Sequence, residues 1–281
     1  MNSIYNTNDS ITSVTNQHQK SKKYILLVLG ISWIFGFSTT TLLDFSDPIA
    51  YTIITFIYAF IPAIIAIIFN KNERGSWKDL KFFKPDLKSS LYSFIIPIIY
   101  FAVVISIQML LDIRIAKKLD QINQTPLTLS LLLILGYPIT VFLILGEEIG
   151  WRGYLQEKLM NSFGAFAGIF VLGLVWGIWH MPIALQGYNF PNHPYIEAFI
   201  TYPLVGMALS LIIAYLGFNR YSIFIGALVH ASNNHFGGTF LTLTETNNEF
   251  AHAMIFNGFY VIIILIFGYL WRRKTFKNIK S

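Results

Sequence analysis

The sequence predicts an all-α, polytopic membrane protein of about eight transmembrane helices. Three observations predict it. Of the 281 residues 54% are hydrophobic and only 12% are charged, where a soluble domain carries about a quarter charged residues. That much apolar surface does not fit inside one water-facing core, so the chain belongs in lipid. Second, apolar segments recur at lengths near the ~20 residues that a helix needs to cross a bilayer. They run over 24–43, 49–69, 91–111, 127–146, 164–185, 196–216, 221–236 and 253–271. Third, eight spans with both termini cytoplasmic put 17 of the 20 Lys and Arg residues on the inner side, leaving only Arg114, Lys117 and Lys118 outside. Such a bias sets orientation in membrane proteins.

Taken in order, residues 1–23 are polar and read as a disordered cytoplasmic tail. They do not read as a signal peptide, because the apolar run that follows is too long and lacks a small-residue cleavage site. Residues 24–271 form the transmembrane domain, and 272–281 a basic cytoplasmic tail. The seventh segment is short and carries two histidines, so hydropathy supports it least. Cysteine is absent, which excludes disulfides, thiolate metal sites and a thiol nucleophile. The net charge of +6 follows from topology, and no basic soluble face suggests nucleic acid. The Ile-, Asn- and Lys-rich composition points to the cell membrane of a bacterium.

All seven Asp residues lie at or before Asp120. Beyond that point the ionisable groups at membrane depth are Glu147, Glu148, Arg152, His180, His230 and His235. Groups of this kind cost a few kcal/mol each to insert and are functional candidates by default. Glu148 and Arg152 are spaced i, i+4, so they share a helix face and can pair. Glu147 points about 100° away and has no partner within its own helix. Each motif has a bland alternative: a polar helix lip for Glu147-Glu148, a structural histidine for His180, interhelical hydrogen bonding for Asn234. Jointly they favour one shared cavity, because that is the cheapest way to keep polar groups from three spans in lipid.

Depth constrains that reading. From Arg220, His230 lies about 15 Å deep and Asn234 about 21 Å; from Phe163, His180 lies about 25 Å deep. Glu147 reaches them only if the fourth helix runs past Gly146 to about Lys158, which puts it about 16 Å deep. The sequence therefore predicts an over-long fourth helix that continues through Glu147 to at least Arg152, with Pro138 available for a kink.

Three motifs follow one another in order: Glu147-Glu148-Ile149-Gly150-Trp151-Arg152, Trp176-Gly177-Ile178-Trp179-His180, and His230-Ala231-Ser232-Asn233-Asn234. Together they resemble the CPBP family, the CAAX prenyl proteases and bacteriocin-processing or self-immunity enzymes often described as metalloproteases. The resemblance covers about 127–236. The family pattern is EExxxR, FxxxH and HxxxN, and Trp176 stands where Phe is common.

The resemblance implies an intramembrane endopeptidase with a membrane-embedded catalytic cavity. Its substrate would be a membrane-associated peptide or protein. Glu147 and His180 would activate water, and His230 and Asn234 would stabilise the oxyanion. Glu148, Arg152 and Trp176 would support the site. The rival version binds zinc through Glu147, His180 and His230, with an open water position; the cofactor is thus none or zinc. Two other function classes stay open, a non-catalytic immunity or partner-binding protein and a proton-coupled transporter. No HExxH or GxGD motif occurs, and the Gly75-Ser76 pair lies in a basic loop, so other intramembrane protease chemistries find no residues here.

Overall fold

The computed structural model describes residues 7–42, 48–117, 125–218 and 221–279. Helices α1 (Thr7–Leu42), α2 (Pro48–Asn72) and α3 (Leu87–Leu110) come first, followed by a short strand β1 (Arg114–Ala116). Then come α4 (Pro126–Glu148), a π-helical stretch over Ile149–Leu155, α5 (Gln156–Phe163) and α6 (Ala165–Trp179). The short α7 (Met181–Ala184) and α8 (Pro194–Ile196) lead through a second π turn, Glu197–Thr201, into α9 (Tyr202–Leu216). Helix α10 (Ile223–Leu243), strand β2 (Thr244–Thr246) and α11 (Glu249–Ile279) complete the fold.

The architecture is the expected all-α, multi-pass membrane fold. Among the described residues six helical stretches are long and apolar enough to cross a bilayer: Thr15–Thr39, Thr52–Asn72, Leu87–Leu110, Leu133–Phe163, Pro194–Leu216 and Glu249–Thr275. The fifth and seventh expected spans are also helices, but α6 has only 15 residues and α10, though continuous, carries the polar run from His230 to His235. Large side chains such as Ile34, Ile134, Ile139 and Leu265 are exposed. On a soluble protein that surface would aggregate; on this one it is the lipid face.

Local signals set the helix ends. Asp86, Thr125 and Ser222 each accept a hydrogen bond from the first turn of α3, α4 and α10, as capping side chains do. Gly164, at φ 82°, turns the chain between α5 and α6. The tail expected to be disordered is different: α1 starts at Thr7, Ser21 and Tyr24 are buried, and the Tyr24 hydroxyl donates to the Pro62 carbonyl at 2.9 Å. Its polar residues extend a helix whose apolar part is already anchored, and Lys20 finds Glu73 at 3.1 Å. Residues 1–6, Lys118 and Arg220 lie outside the described residues.

Helix α4 does run past Gly146, but not as a uniform α-helix. It widens into the π stretch, which carries Arg152 and is wholly buried. Wide turns of this kind occur frequently at functional positions. Two glycines let the wide turn pack: a Cβ on Gly150 would stand 2.5 Å from Pro62, and one on Gly153 would stand 2.9 Å from the Leu80 carbonyl. Helices α6 and α9 also approach backbone to backbone, since a Cβ on Gly206 would meet the Gly173 carbonyl at 2.2 Å. Small residues at such crossings let helices pack tightly where lipid provides no hydrophobic drive. At one end of the bundle β1 and β2 pair antiparallel, Ile115 opposite Glu245. Nothing in the sequence pattern announced this ribbon.

Candidate active site

Glu147 and Glu148, the last two residues of α4, point in different directions. Glu148 is fully buried and accepts from Arg152 Nη1 at 2.9 Å. It also faces His230 Nδ1 on α10 at 3.2 Å. Arg152 Nη2 donates to Ser210 Oγ on α9 at 3.1 Å. One carboxylate thus ties the π stretch to α10 and, through arginine, to α9. Gly226 makes room for it: a Cβ there would lie 2.1 Å from Glu148 Oε2.

Trp176 organises the rest. Its indole Nε1 donates to Glu147 Oε2 at 2.8 Å, and its backbone carbonyl accepts from His180 Nδ1 at 2.9 Å. The Arg152 guanidinium lies over its ring at 4.2 Å, a cation–π contact in a desolvated place. His180 stands where α6 ends, its ring stacked on Tyr202 at 4.4 Å between centroids. With Nδ1–H committed to a carbonyl, His180 presents the lone pair of Nε2. Among the described residues no hydrogen bond reaches His180 Nε2 or Glu147 Oε1, and the two residues meet through Trp176, not directly.

On α10, Asn234 Nδ2 lies 3.2 Å from His230 Nε2. Since Glu148 is an acceptor, His230 carries its hydrogen on Nδ1, and Nε2 accepts from Asn234. Asn233 Nδ2 donates to Asn234 Oδ1 at 2.9 Å, and the Tyr100 hydroxyl donates to Asn233 Oδ1. His230 and Asn234 therefore bond one another. The line from Tyr100 to Arg152 is one continuous hydrogen-bonded chain through Asn233, Asn234, His230 and Glu148.

Glu147, Trp176, His180, His230 and Asn234 all line one cavity of about 650 Å³. Glu148 and Arg152 lie behind its wall. The cavity extends to Gln186, Phe190 and His252 at the ribbon end of the bundle.

Zinc through Glu147, His180 and His230 does not fit this arrangement. One Glu147 oxygen takes the indole hydrogen, and both His230 nitrogens have partners, Glu148 and Asn234. Among the described residues no three His, Asp or Glu groups come together as metal ligands.

Residues 124–236 match the family model described as Type II CAAX prenyl endopeptidase Rce1-like. The match spans all three motifs and accords with their CPBP resemblance. Lysostaphin resistance protein A of Staphylococcus haemolyticus is 28% identical over 206 residues, which is 72% of this chain and 52% of that protein. CAAX prenyl protease 2 of Methanococcus maripaludis is 25% identical over 100 residues, 33% of this chain and 37% of that protein. The chain thus spans about half the length of the first relative and little more than a third of the second.

Within residues 124–236 the structure brings the residues of the three motifs together. It adds several that the motifs did not nominate. Asn233 is off the HxxxN spacing, and a lone tyrosine such as Tyr100 in an apolar span carries no sequence signal. Glu197, fully buried, accepts from the Asn189 and Phe190 backbone at 2.9–3.0 Å and holds the loop beside the cavity. A glutamate at the start of an apolar span was the available clue. The neighbouring Glu249 holds Asn192 of the same loop at 2.9 Å.

Proposed function

We propose that this chain is an intramembrane endopeptidase that hydrolyses a peptide bond of a membrane-associated protein or peptide. The supporting observation is Trp176 bonded to both Glu147 and His180, each with an acceptor left over in one buried cavity. A water between those acceptors directs both hydrogens at them and turns its own lone pairs outward. Glu147 removes one proton as that water attacks the carbonyl, a general-base step worth ~10²–10⁴-fold. The same carboxyl then returns the proton to the departing amine, so the proton count closes. Asn234 has a second amide hydrogen for the oxyanion. His230, whose Nε2 accepts from that amide and whose Nδ1 faces Glu148, fixes its orientation. On this reading Glu148, Arg152 and Trp176 hold the site. The protein sits in a bacterial cell membrane with both termini cytoplasmic.

The test is Glu147→Gln, which keeps shape and removes the base. The full chain is reconstituted in vesicles with tethered peptide substrates. Cleavage should fall by ~10²-fold or more; cleavage at the wild-type rate sinks the assignment. A second reading, a non-catalytic membrane factor, draws on the relative whose name speaks of resistance. It wins if wild type and Glu147→Gln protect cells from a peptide toxin equally and neither cleaves.

A further inference from the structure

Among the described residues four glycines line the cavity: Gly36, Gly206, Gly237 and Gly238. Packing accounts for three of them. A Cβ on Gly36 would stand 2.8 Å from Pro182, one on Gly237 would stand 2.5 Å from the Phe101 ring, and one on Gly206 would collide with the Gly173 carbonyl. Around a Cβ on Gly238 nothing lies within 4 Å. Gly30 and Gly258 have similar room, but neither borders the cavity. The backbone does not ask for glycine at 238 either, since it is ordinary α-helix within α10 and outside the left-handed region. Glycine inside a helix is destabilising relative to alanine. Position 238 therefore carries a residue that local structure disfavours and packing does not require.

What this glycine provides is room, and its place says for what. His230, Asn234 and Gly238 are spaced i, i+4, i+8, so they follow one another along one face of α10. Gly238 lies one turn, about 6 Å, beyond Asn234 on the ribbon side. Both are exposed in the cavity wall, whereas Gly237 is buried. Leu241, three residues on, shares that face and borders the same space, as do Phe101 and Phe256. A pocket so lined takes an apolar group, because a polar one would be desolvated there without a partner.

We infer that Gly238 keeps open a side-chain pocket beside Asn234, and that this pocket takes one large apolar side chain of the peptide within two residues of the scissile bond. The inference rests on the peptidase reading above, in which the scissile carbonyl lies at the Asn234 amide. An extended peptide advances roughly 3.3–3.6 Å per residue, so it covers the distance of about 6 Å from that carbonyl to Gly238 in two residues. Gly238 is on this account a specificity-determining residue that takes no part in the chemistry.

The test uses the full-length Glu147→Gln protein in detergent, so binding is read whether or not wild type cleaves. The probes are an Ala/Ser octapeptide and the same peptide carrying one Phe. The Phe peptide should bind about tenfold or more tighter. Adding Gly238→Leu fills the pocket and should erase that preference while leaving the affinity of the Phe-free peptide in place. No preference, or one that Gly238→Leu leaves intact, overturns the pocket. If Gly238→Leu fails to fold, Gly238→Ala should still shrink the preference by about threefold, and an undiminished preference counts against the proposal. Gly238→Ala should also melt at or above the wild-type temperature; a lower melt would show that packing demands the glycine and overturns the proposal. Cleavage by wild type is scored separately. Its absence sinks the peptidase reading and the placement beside a scissile bond, while binding still decides the pocket. Where wild type cleaves, moving the Phe along the peptide should move the cleaved bond with it, and a cut that ignores the Phe overturns the placement.

Discussion

Two carboxylates in this molecule are each held by two nitrogen-bearing side chains, and they sit in opposite environments. Glu148 is fully buried between Arg152 and His230. Glu73, just past the end of α2, lies 3.1 Å from Lys20 and 3.2 Å from Lys158, with 22% of its side chain exposed. The contacts look alike, but the energetics do not. At Glu73, water and salt screen the charges, and long lysine stems lose entropy when pinned. At Glu148 no solvent replaces a lost partner, so the pairing is nearly obligatory. The first cluster pins α1, α2 and α5 together at one end; the second sets the geometry of the cavity wall.

The largest effect should come from breaking the buried cluster. Arg152→Met leaves Glu148 without its guanidinium and should cost about 3–5 kcal/mol. A thermal melt in detergent reads this, and a melt unchanged from wild type would dissolve the contrast between the two clusters. Gly226→Ala should come next, since the new methyl lands 2.1 Å from Glu148 Oε2 and forces the carboxylate off His230. Overpacking of this kind costs about 1–3 kcal/mol, and cleavage should fall along with stability.

Trp176→Phe is milder and more selective. It keeps the ring but removes the indole hydrogen bond to Glu147, a charge-assisted bond worth about 1.5–3 kcal/mol. The turnover rate should drop at least tenfold with little change in melting temperature. An equal loss of stability would make Trp176 a packing residue only.

The smallest effect belongs to Glu73. Burial works to raise its pKa, but the Tyr154 hydroxyl at 2.5 Å and the two lysines outweigh it, and the carboxyl titrates below the ordinary 4.5. A group lowered on folding stabilises above its unfolded pKa. That contribution is therefore whole above about pH 4.5 and fades as pH falls through the lower folded value. Glu73→Gln should cost only about 0–1 kcal/mol, and melts of variant and wild type should converge in acid and in high salt. A penalty that persists at high salt would place Glu73 in the same class as Glu148.

Composition and hydropathy alone were enough for the membrane class and for the all-α, multi-pass fold, though not for the count of eight spans, because lipid demands long apolar runs and permits few exceptions. Those exceptions were legible for the same reason. Glu147, Glu148, Arg152, His180, His230 and Asn234 stand out against an apolar background, and the i, i+4 spacing of Glu148 and Arg152 held. Composition misled at residues 7–23, where polarity was read as disorder although a helix already anchored in the bundle extends through them at little cost.

What tertiary structure decided lies between helices. Periodicity says which residues share a face of one helix but not how that helix is rotated against its neighbours. Only the folded chain shows the π turn that opens behind Glu148, or that Glu148 serves His230 as well as Arg152. Only the fold brings Tyr100 into line with Asn233, and Arg114 of the ribbon against His252. The stretch 146–155 was readable as polar residues in lipid. Its partners were set by the other helices packing at distances that glycines permit.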